Sequence, residues 1–367
     1  ITGRRIYING LGNVSPQKSP GFPDFLDELM EAETRQLKSL DPGYKEFIPA
    51  DMIRRMGRVI KMGVSASKMC LRDAALNSGS EQNVMAEPEA IITGTGLGCM
   101  EDTEKFLASM IQNKEEFLTP TSFIQSTHNT VAGQIALLIK CHGYNFTYVH
   151  RGISFESALT DAMLHMEEGR LNHILVGGSD EITANSFAIQ SRMGFWKRKP
   201  VSSLHLLQDD QRGTVAGEGA TFLYLGREKH DNSYAELLGV HTFLKPSDPS
   251  VIQQQLVDFL ASKGITIGQI DTFMPGLNGD PASDKVYHQL IQTTLKDKQV
   301  VVFKHLCGEY HTATAFATWL AAMILRTQRV PDVVRFRPEP EPVTPNYILI
   351  YNHYRNNNHA FILLSRP

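Results

Sequence analysis

RIYING (5–10), IRRMGRVIKMGVSASKMCLRDAAL (53–76) and AIITGTG (90–96) decide the fold class when read together. The first and third are short strand-like runs, and the middle one repeats its apolar residues at helical spacing. A helix between two such runs is the crossover that parallel strands require, so the chain reads as α/β. A second cycle begins at YAELLGVHTFL (234–244). It continues through the helical IQQQLVDFLASKG (252–264), the strand DTFMPGL (271–277), the helix DKVYHQLIQTTL (284–295) and the strand VVFKH (301–305). Two similar halves are expected, 1–225 and 226–367. The segment from Met193 to Gly219, punctuated by Trp, Lys, Pro and Gly, reads as an extended loop before the returning strand TFLYLG. Such a loop covers a site or joins the halves.

The chain has 367 residues, enough for two domain-sized cores. A formal charge of −3 gives no basic footprint for nucleic acid. Cys70, Cys99, Cys141 and Cys307 form no C-x-x-C pair. Neither a zinc site nor a disulfide framework is indicated, and a reducing cytoplasm fits best. The 13 histidines supply no H-x-x-x-H helix pair with a third ligand nearby. No metal and no cofactor are expected. The opening run ITGRRIYINGLGNV is too short and polar for a signal peptide, and no stretch reaches the ~18 apolar residues of a membrane span.

Five blocks then stand in an ordered series: GRRIYINGLGNVSP (3–16), GTGLGCMEDTEKF (94–106), TPTSFIQSTHNTVAGQIALLIKCHG (119–143), GRLNHILVGGSDE (169–181) and RGTVAGEGATFLYL (212–225). In order and spacing they resemble the β-ketoacyl-acyl-carrier-protein synthases. Asn129, Ala132, Gly133 and Gln134 are in register with the N-x-x-A-G-Q of that family. The resemblance implies a thiolase-like, internally duplicated α/β/α/β/α layered fold.

It also says where the chemistry should be. The family places a nucleophilic cysteine at a strand-to-helix turn, where the helix N-terminus favours the thiolate. Counting back from Gly177-Gly178 puts Gly152 of YVHRGISFESALTDA (148–162) in the cysteine position, with Ser154 matching the motif serine. Two histidines complete the family's site. PGLNGDPASDK (275–285) aligns with the first histidine motif through Pro281 and Asp284, so Gly276 takes that place. VVFKHLCGEYHTATA (301–315) aligns with the second through Lys304 and Gly308, which puts Glu309 there and retains Lys304. Thr318 stands where the family has a glutamate. Without a thiolate and imidazole donors, decarboxylative condensation has neither its nucleophile nor its enolate stabiliser. HYRNNNHAF (353–361) replaces a glycine-rich turn, and His353, Tyr354 and Arg355 are expected to occupy space that the family keeps for substrate.

Relocated chemistry has its own candidates. Ser154 or His150 would be a displaced nucleophile, although a serine at a helix start is an ordinary cap. Cys307 and His311 would form a new pair only if the fold brought them together, which spacing alone does not do. The family dimerises through the strand before the nucleophile turn, here NFTYVHR (145–151), whose alternation of Phe146, Tyr148 and His150 suits a paired edge. Met100 matches a residue that limits the acyl pocket at the same interface.

Three readings stay open. The chain is a silent chain-length-factor-type subunit that pairs with an active ketosynthase and shapes its acyl pocket in fatty-acid or polyketide biosynthesis, the shortened 193–217 region pointing to aryl-polyene-type pathways. It is a thioester hydrolase or acyltransferase using Ser154 or Cys307. It is a homodimeric module that binds acyl groups or acyl-carrier protein.

Overall fold

Strand β1 (Tyr7–Val14) is buried along its whole length, so it must be covered on both faces. Its glycines record how closely: a Cβ on Gly12 would fall 2.0 Å from the Ala66 carbonyl oxygen. That oxygen belongs to helix α1 (Arg58–Asn77). The computed structural model describes residues 4–18, 25–81, 84–116, 118, 120–337 and 344–367. The helix expected over 53–76 is broken there, with a short piece at Ala50–Ile53 and α1 starting after Gly57. A Cβ on Gly57 would lie 2.2 Å from an Asp102 carboxylate oxygen, and this close passage is where the chain turns.

The first half continues with strand β2 (Ala90–Gly94), helix α2 (Met100–Gln112), helix α3 (Thr130–Ile139) and strand β3 (Tyr144–Tyr148). Helix α4 (Ser154–Glu168), strand β4 (His173–Asp180), helix α5 (Ala184–Arg192) and strand β5 (Gly219–Gly226) complete it. The second half runs β6 (Ala235–Leu244), α6 (Pro249–Ser262), β7 (Thr272–Pro275), α7 (Pro281–Gln292), β8 (Gln299–Val300), α8 (Ala313–Thr327), β9 (Tyr347–Tyr354) and β10 (Asn358–Ser365). In this numbering the ten-stranded sheet has the order 8-7-9-10-6-1-5-4-2-3. Read outward from the β1–β6 seam, each half repeats one pattern. Two antiparallel pairings are followed by two parallel ones.

Alternation along the strands sets the layers. Ile91, Leu175 and Phe222 point to one side, where they pack with α1 and α3. Ile92, Val176 and Leu223 point to the other, into a core that α4 and α8 share with strands of both halves. Phe273, Leu349 and Phe361 face outward again, against α6 and α7. The result is α/β/α/β/α with α4 and α8 in the middle. Residues Ala313 to Leu325 of α8 are all buried, as a central layer demands.

A second element differs from the sequence expectation. VVFKH is not a strand: β8 ends at Val300, Val301 makes a single bridge to Arg335, and Lys304–Cys307 is a helical turn. Turning there allows Lys304 to reach Glu309 instead of pointing across a sheet. The loop after α5 is pinned by a wholly buried lysine. Lys197 Nζ donates to Asp209 Oδ1 (2.7 Å), Gln211 O (2.9 Å) and Gly279 O (3.0 Å), the last of these in the second half.

Candidate functional site

Gly152 lies in the turn between β3 and α4, just after Arg151, whose φ of 55° is an uncommon left-handed conformation for a non-glycine residue. The space above Gly152 is filled. A Cβ built there would fall 2.3 Å from Tyr354 Cβ and 2.6 Å from Tyr354 Cγ. Tyr354 ends β9, and Asn357 N donates to Tyr354 O at 3.1 Å across Arg355 (φ 54°) and Asn356 (φ 51°). Two left-handed residues inside that bond make a type I′ turn. The turn holds the Tyr354 ring beside His311, with ring centroids 5.2 Å apart, and the Arg355 guanidinium 4.4 Å from the centre of the Phe195 ring. His353 is also buried, stacked 4.7 Å from Tyr287, and all three residues line one cavity.

Gly276 is covered in the same manner. A Cβ there would meet Asn352 Oδ1 at 2.1 Å. Asn352 Oδ1 accepts from Lys304 Nζ at 2.9 Å, and Asn352 Nδ2 donates to Thr314 Oγ1 at 3.0 Å. Lys304, fully buried, also donates to Glu309 Oε2 at 2.7 Å, and Asn278 Nδ2 reaches the same oxygen at 2.7 Å. A lysine, two asparagine amides and a carboxylate are therefore joined where the family resemblance places two imidazoles. Asp284 anchors the loop by accepting from Asn278 N (3.0 Å) and Gly279 N (2.8 Å), while burial pushes its carboxyl up to about 7. Asp180 ties the two halves together at this point. It accepts from Thr95 Oγ1, Gly96 N, Thr312 N and Thr312 Oγ1, all within 3.0 Å.

The candidate nucleophiles are placed plainly. Ser154 Oγ donates to Arg151 O (2.7 Å) and accepts from His150 N (2.8 Å), so it closes the turn and is fully buried. His150 Nδ1 is bonded to Ser157 Oγ at 3.0 Å. Cys307 is wholly buried, its Sγ donating to Gly308 O at 3.3 Å, and burial raises its thiol above the ordinary range. His311 packs tilted against the Tyr354 ring instead and lies so near Gly96 that a Cβ there would be 2.1 Å from its ring. Burial lowers the His311 imidazole pKa, which favours the neutral ring. Thr318 Oγ1 donates to Thr314 O at 2.9 Å within its helix.

Sequence reasoning overlooked Asn352 and Glu156. Nothing in HYRNNNHAF marks the residue just before it, and Glu156 stands in the first turn of α4, where an acidic residue is an ordinary choice and gives no sign of burial. Glu156 is fully buried, and its carboxylate oxygens make no sound hydrogen bond. Burial pushes it up to about 7, an effect that Thr314 and Lys304 oppose only in part.

In front of these residues is a cavity of about 340 Å³. Glu309, His311 and Tyr354 line it, together with Phe195 and Trp196 of the loop after α5. That loop therefore covers the site. Met100, at the N-terminus of α2, is outside the cavity lining. Phe146 (45% exposed) and Tyr148 are on β3, the last strand of the sheet. Tyr144, Phe146, Tyr148 and His150 form a ladder with successive ring centroids 6.1, 4.9 and 5.6 Å apart. Among the described residues no group of His, Cys, Asp and Glu gathers to hold a metal, and no helix is long and apolar enough to cross a membrane.

A duplicated sheet with two central helices, one starting at a tight turn, is the thiolase-like fold of ketosynthase-type proteins. The chain belongs to the β-ketoacyl synthase family: the model "Beta-ketoacyl synthase, N-terminal domain" matches residues 21–231 of its 367. Among solved structures, it is similar to the ishigamide ketosynthase/chain length factor, at 20% identity over all of both chains with a TM-score of 0.80. A type II polyketide synthase ketosynthase, solved with its acyl-carrier protein and bound to the hexaketide, also gives 0.80, at 15% identity over all of both chains. A β-ketoacyl synthase from Burkholderia phymatum STM815 gives 0.74, at 16% identity over 99% of this chain and 100% of that one. No curated protein sequence matches.

Proposed function

We propose that this chain is a ketosynthase-like subunit with no condensing chemistry of its own, which pairs with an active β-ketoacyl synthase and helps to shape its acyl pocket. On this reading Gly152, Gly276 and Glu309 are the vacated positions of the catalytic triad. The observation that carries it is the filled space over Gly152: Tyr354 occupies the volume in which a nucleophile would have to reach an acyl thioester. The Lys304–Glu309 pair supports it too, since a carboxylate beside a developing enolate would oppose the charge that decarboxylation creates. Relocated nucleophiles fit less well, because Ser154 and Cys307 are both sealed from solvent. The repeated strand pattern supports two halves, 1–225 and 226–367, and the exposed aromatic ladder on β3 supports pairing through that edge. Two similar structures carry ketosynthase, chain-length-factor and carrier-protein names. By analogy, a polyketide pathway of aryl-polyene type, with acyl-carrier protein as the acyl donor, is the setting we favour.

The cavity favours a second reading, a homodimer that binds acyl groups or carrier protein. One experiment bears on the chemistry in both. Incubated alone with radiolabelled acyl- and malonyl-carrier protein, the chain should retain no hydroxylamine-labile label and release no carbon dioxide. Stoichiometric labelling would overturn the proposal, and Ser154→Ala and Cys307→Ala would then identify the nucleophile.

A further inference from the structure

The edge strand β3 carries a charge within its aromatic surface. Asp161 stands on α4, where Tyr144 Oη donates to its Oδ2 at 3.1 Å. Tyr148 faces the same carboxylate: burial and the Asp161 charge together push its hydroxyl up to about 12. The two tyrosines flank Phe146 at alternate positions of β3, so the carboxylate is level with the middle of the strand. Leu164, one turn further along α4 and exposed, extends the apolar surface on the same helix face.

The carboxylate is poorly compensated where it stands. It could accept about four hydrogen bonds. Among the described residues it takes one, from Tyr144, and the one basic group within ion-pair distance is His165, whose Nε2 is 3.6 Å away. That separation is too long for a hydrogen bond. The cations nearest along the chain, Lys140 and Arg151, lie beyond the two ends of β3. The Asp161 side chain is 14% exposed, so water makes up part of its solvation. A partner that covers Tyr144 and Phe146 removes that water, and a carboxylate buried without a counter-charge is strongly destabilising.

A second copy is badly suited to supply that counter-charge. Identical edge strands pair about a two-fold axis, which sets one patch against itself. Centred on Phe146, this pairing runs Tyr144 against Tyr148 of the copy and brings two Asp161 carboxylates to the middle of one interface. We propose that Asp161 selects the occupant of this edge: it disfavours a second copy of this chain and takes a different polypeptide that brings a lysine or arginine to the middle of its own edge strand. Framed by Tyr144, Phe146 and Tyr148, the resulting charge-assisted bond is shielded from water. The inference deepens the subunit reading and rests on it, since it takes β3 to be the pairing edge.

The test has two arms, both with the full chain. In the first, analytical ultracentrifugation measures reversible self-association of the parent and of Asp161→Asn, which keeps an acceptor for Tyr144 and removes the charge. Asp161→Asn should dimerise at least about tenfold more tightly, the scale of one interaction with a charged group. In the second, affinity is measured for a ketosynthase that co-purifies with the parent. Asp161→Asn should bind it at least about tenfold more weakly, and Asp161→Lys should not bind it. Misfolding does not produce a tighter reversible dimer, so the first arm holds even if Asp161→Lys fails to fold. Equal self-association of parent and Asp161→Asn, including none in either, or a ketosynthase bound equally by both, would overturn the proposal. Failure of the subunit reading has a different signature: no ketosynthase is held by parent or variant, while the first arm still decides whether Asp161 opposes self-pairing.

Discussion

Tyr354 stands where a side chain on residue 152 would have to go, with only 2.3 Å between its Cβ and a Cβ built on Gly152. The two residues are therefore expected to be energetically coupled. Gly152→Cys alone should destabilise the chain by about 1–3 kcal/mol, the usual penalty for overpacking. In the Gly152→Cys/Tyr354→Ala double variant the loss should be smaller than the sum of the single losses by at least about 1 kcal/mol. Chemical denaturation of the four proteins measures this, and strictly additive losses would show that the two side chains do not compete for one space.

The buried Lys304 makes a similar case through charge. Lys304→Met should cost about 3 kcal/mol, because it strands Glu309 and leaves Asn352 Oδ1 without its principal donor. Adding Glu309→Gln should restore a large part of that loss. If Lys304→Met unfolded at the same denaturant concentration as the parent, the cluster would not be holding this end of α8 in place.

Glu156 predicts a pH dependence. Its folded-state value near 7 is above the ordinary 4.5 because burial disfavours the charged form. Between those values the folded chain binds more protons than the unfolded one, so this contribution to stability is complete below about pH 4.5 and is lost as pH rises through about 7. Glu156→Gln removes the titration. It should leave stability nearly unchanged at pH 5 and raise it at pH 8 by up to about 3 kcal/mol. Denaturant melts of parent and variant at both pH values check this. Asp284 and Glu181, also pushed up to about 7 by burial, will keep some slope in both proteins. The difference between the two proteins is therefore the quantity to read.

How much of this was legible in the sequence follows from the kind of information each feature carries. The α/β class comes from periodicity, which is local, whereas the assignments of Gly152, Gly276, Lys304 and Glu309 come from the resemblance of ordered motifs to the β-ketoacyl synthases. The place of His353, Tyr354 and Arg355 in the cavity wall was legible because bulky residues stand where the resemblance expects glycines. The break before α1 was not, since Gly57 is needed for a contact with Asp102 from another helix. Nor was the helical turn at Lys304, because VVFKH has every local property of a strand and is overridden by where its lysine must go. Asn352 filling the place beside Gly276, and Glu156 buried near Thr314 and Lys304, arise only when β9, α4 and α8 meet.

The central claim is that this chain completes a ketosynthase, and the ladder of exposed Tyr144 and Phe146 and half-buried Tyr148 on the edge strand β3 is where it should do so. The most direct measurement is co-expression with any ketosynthase encoded near it, followed by co-purification and product analysis with and without Phe146→Asp. An obligate interface of this kind buries upwards of about 2,000 Å² in total, and a charge at its centre is poorly tolerated. The account predicts that one ketosynthase co-purifies with this chain, that product requires both, and that Phe146→Asp abolishes complex and product together. Failure of any ketosynthase to co-purify, with product unchanged when this chain is deleted, would contradict it.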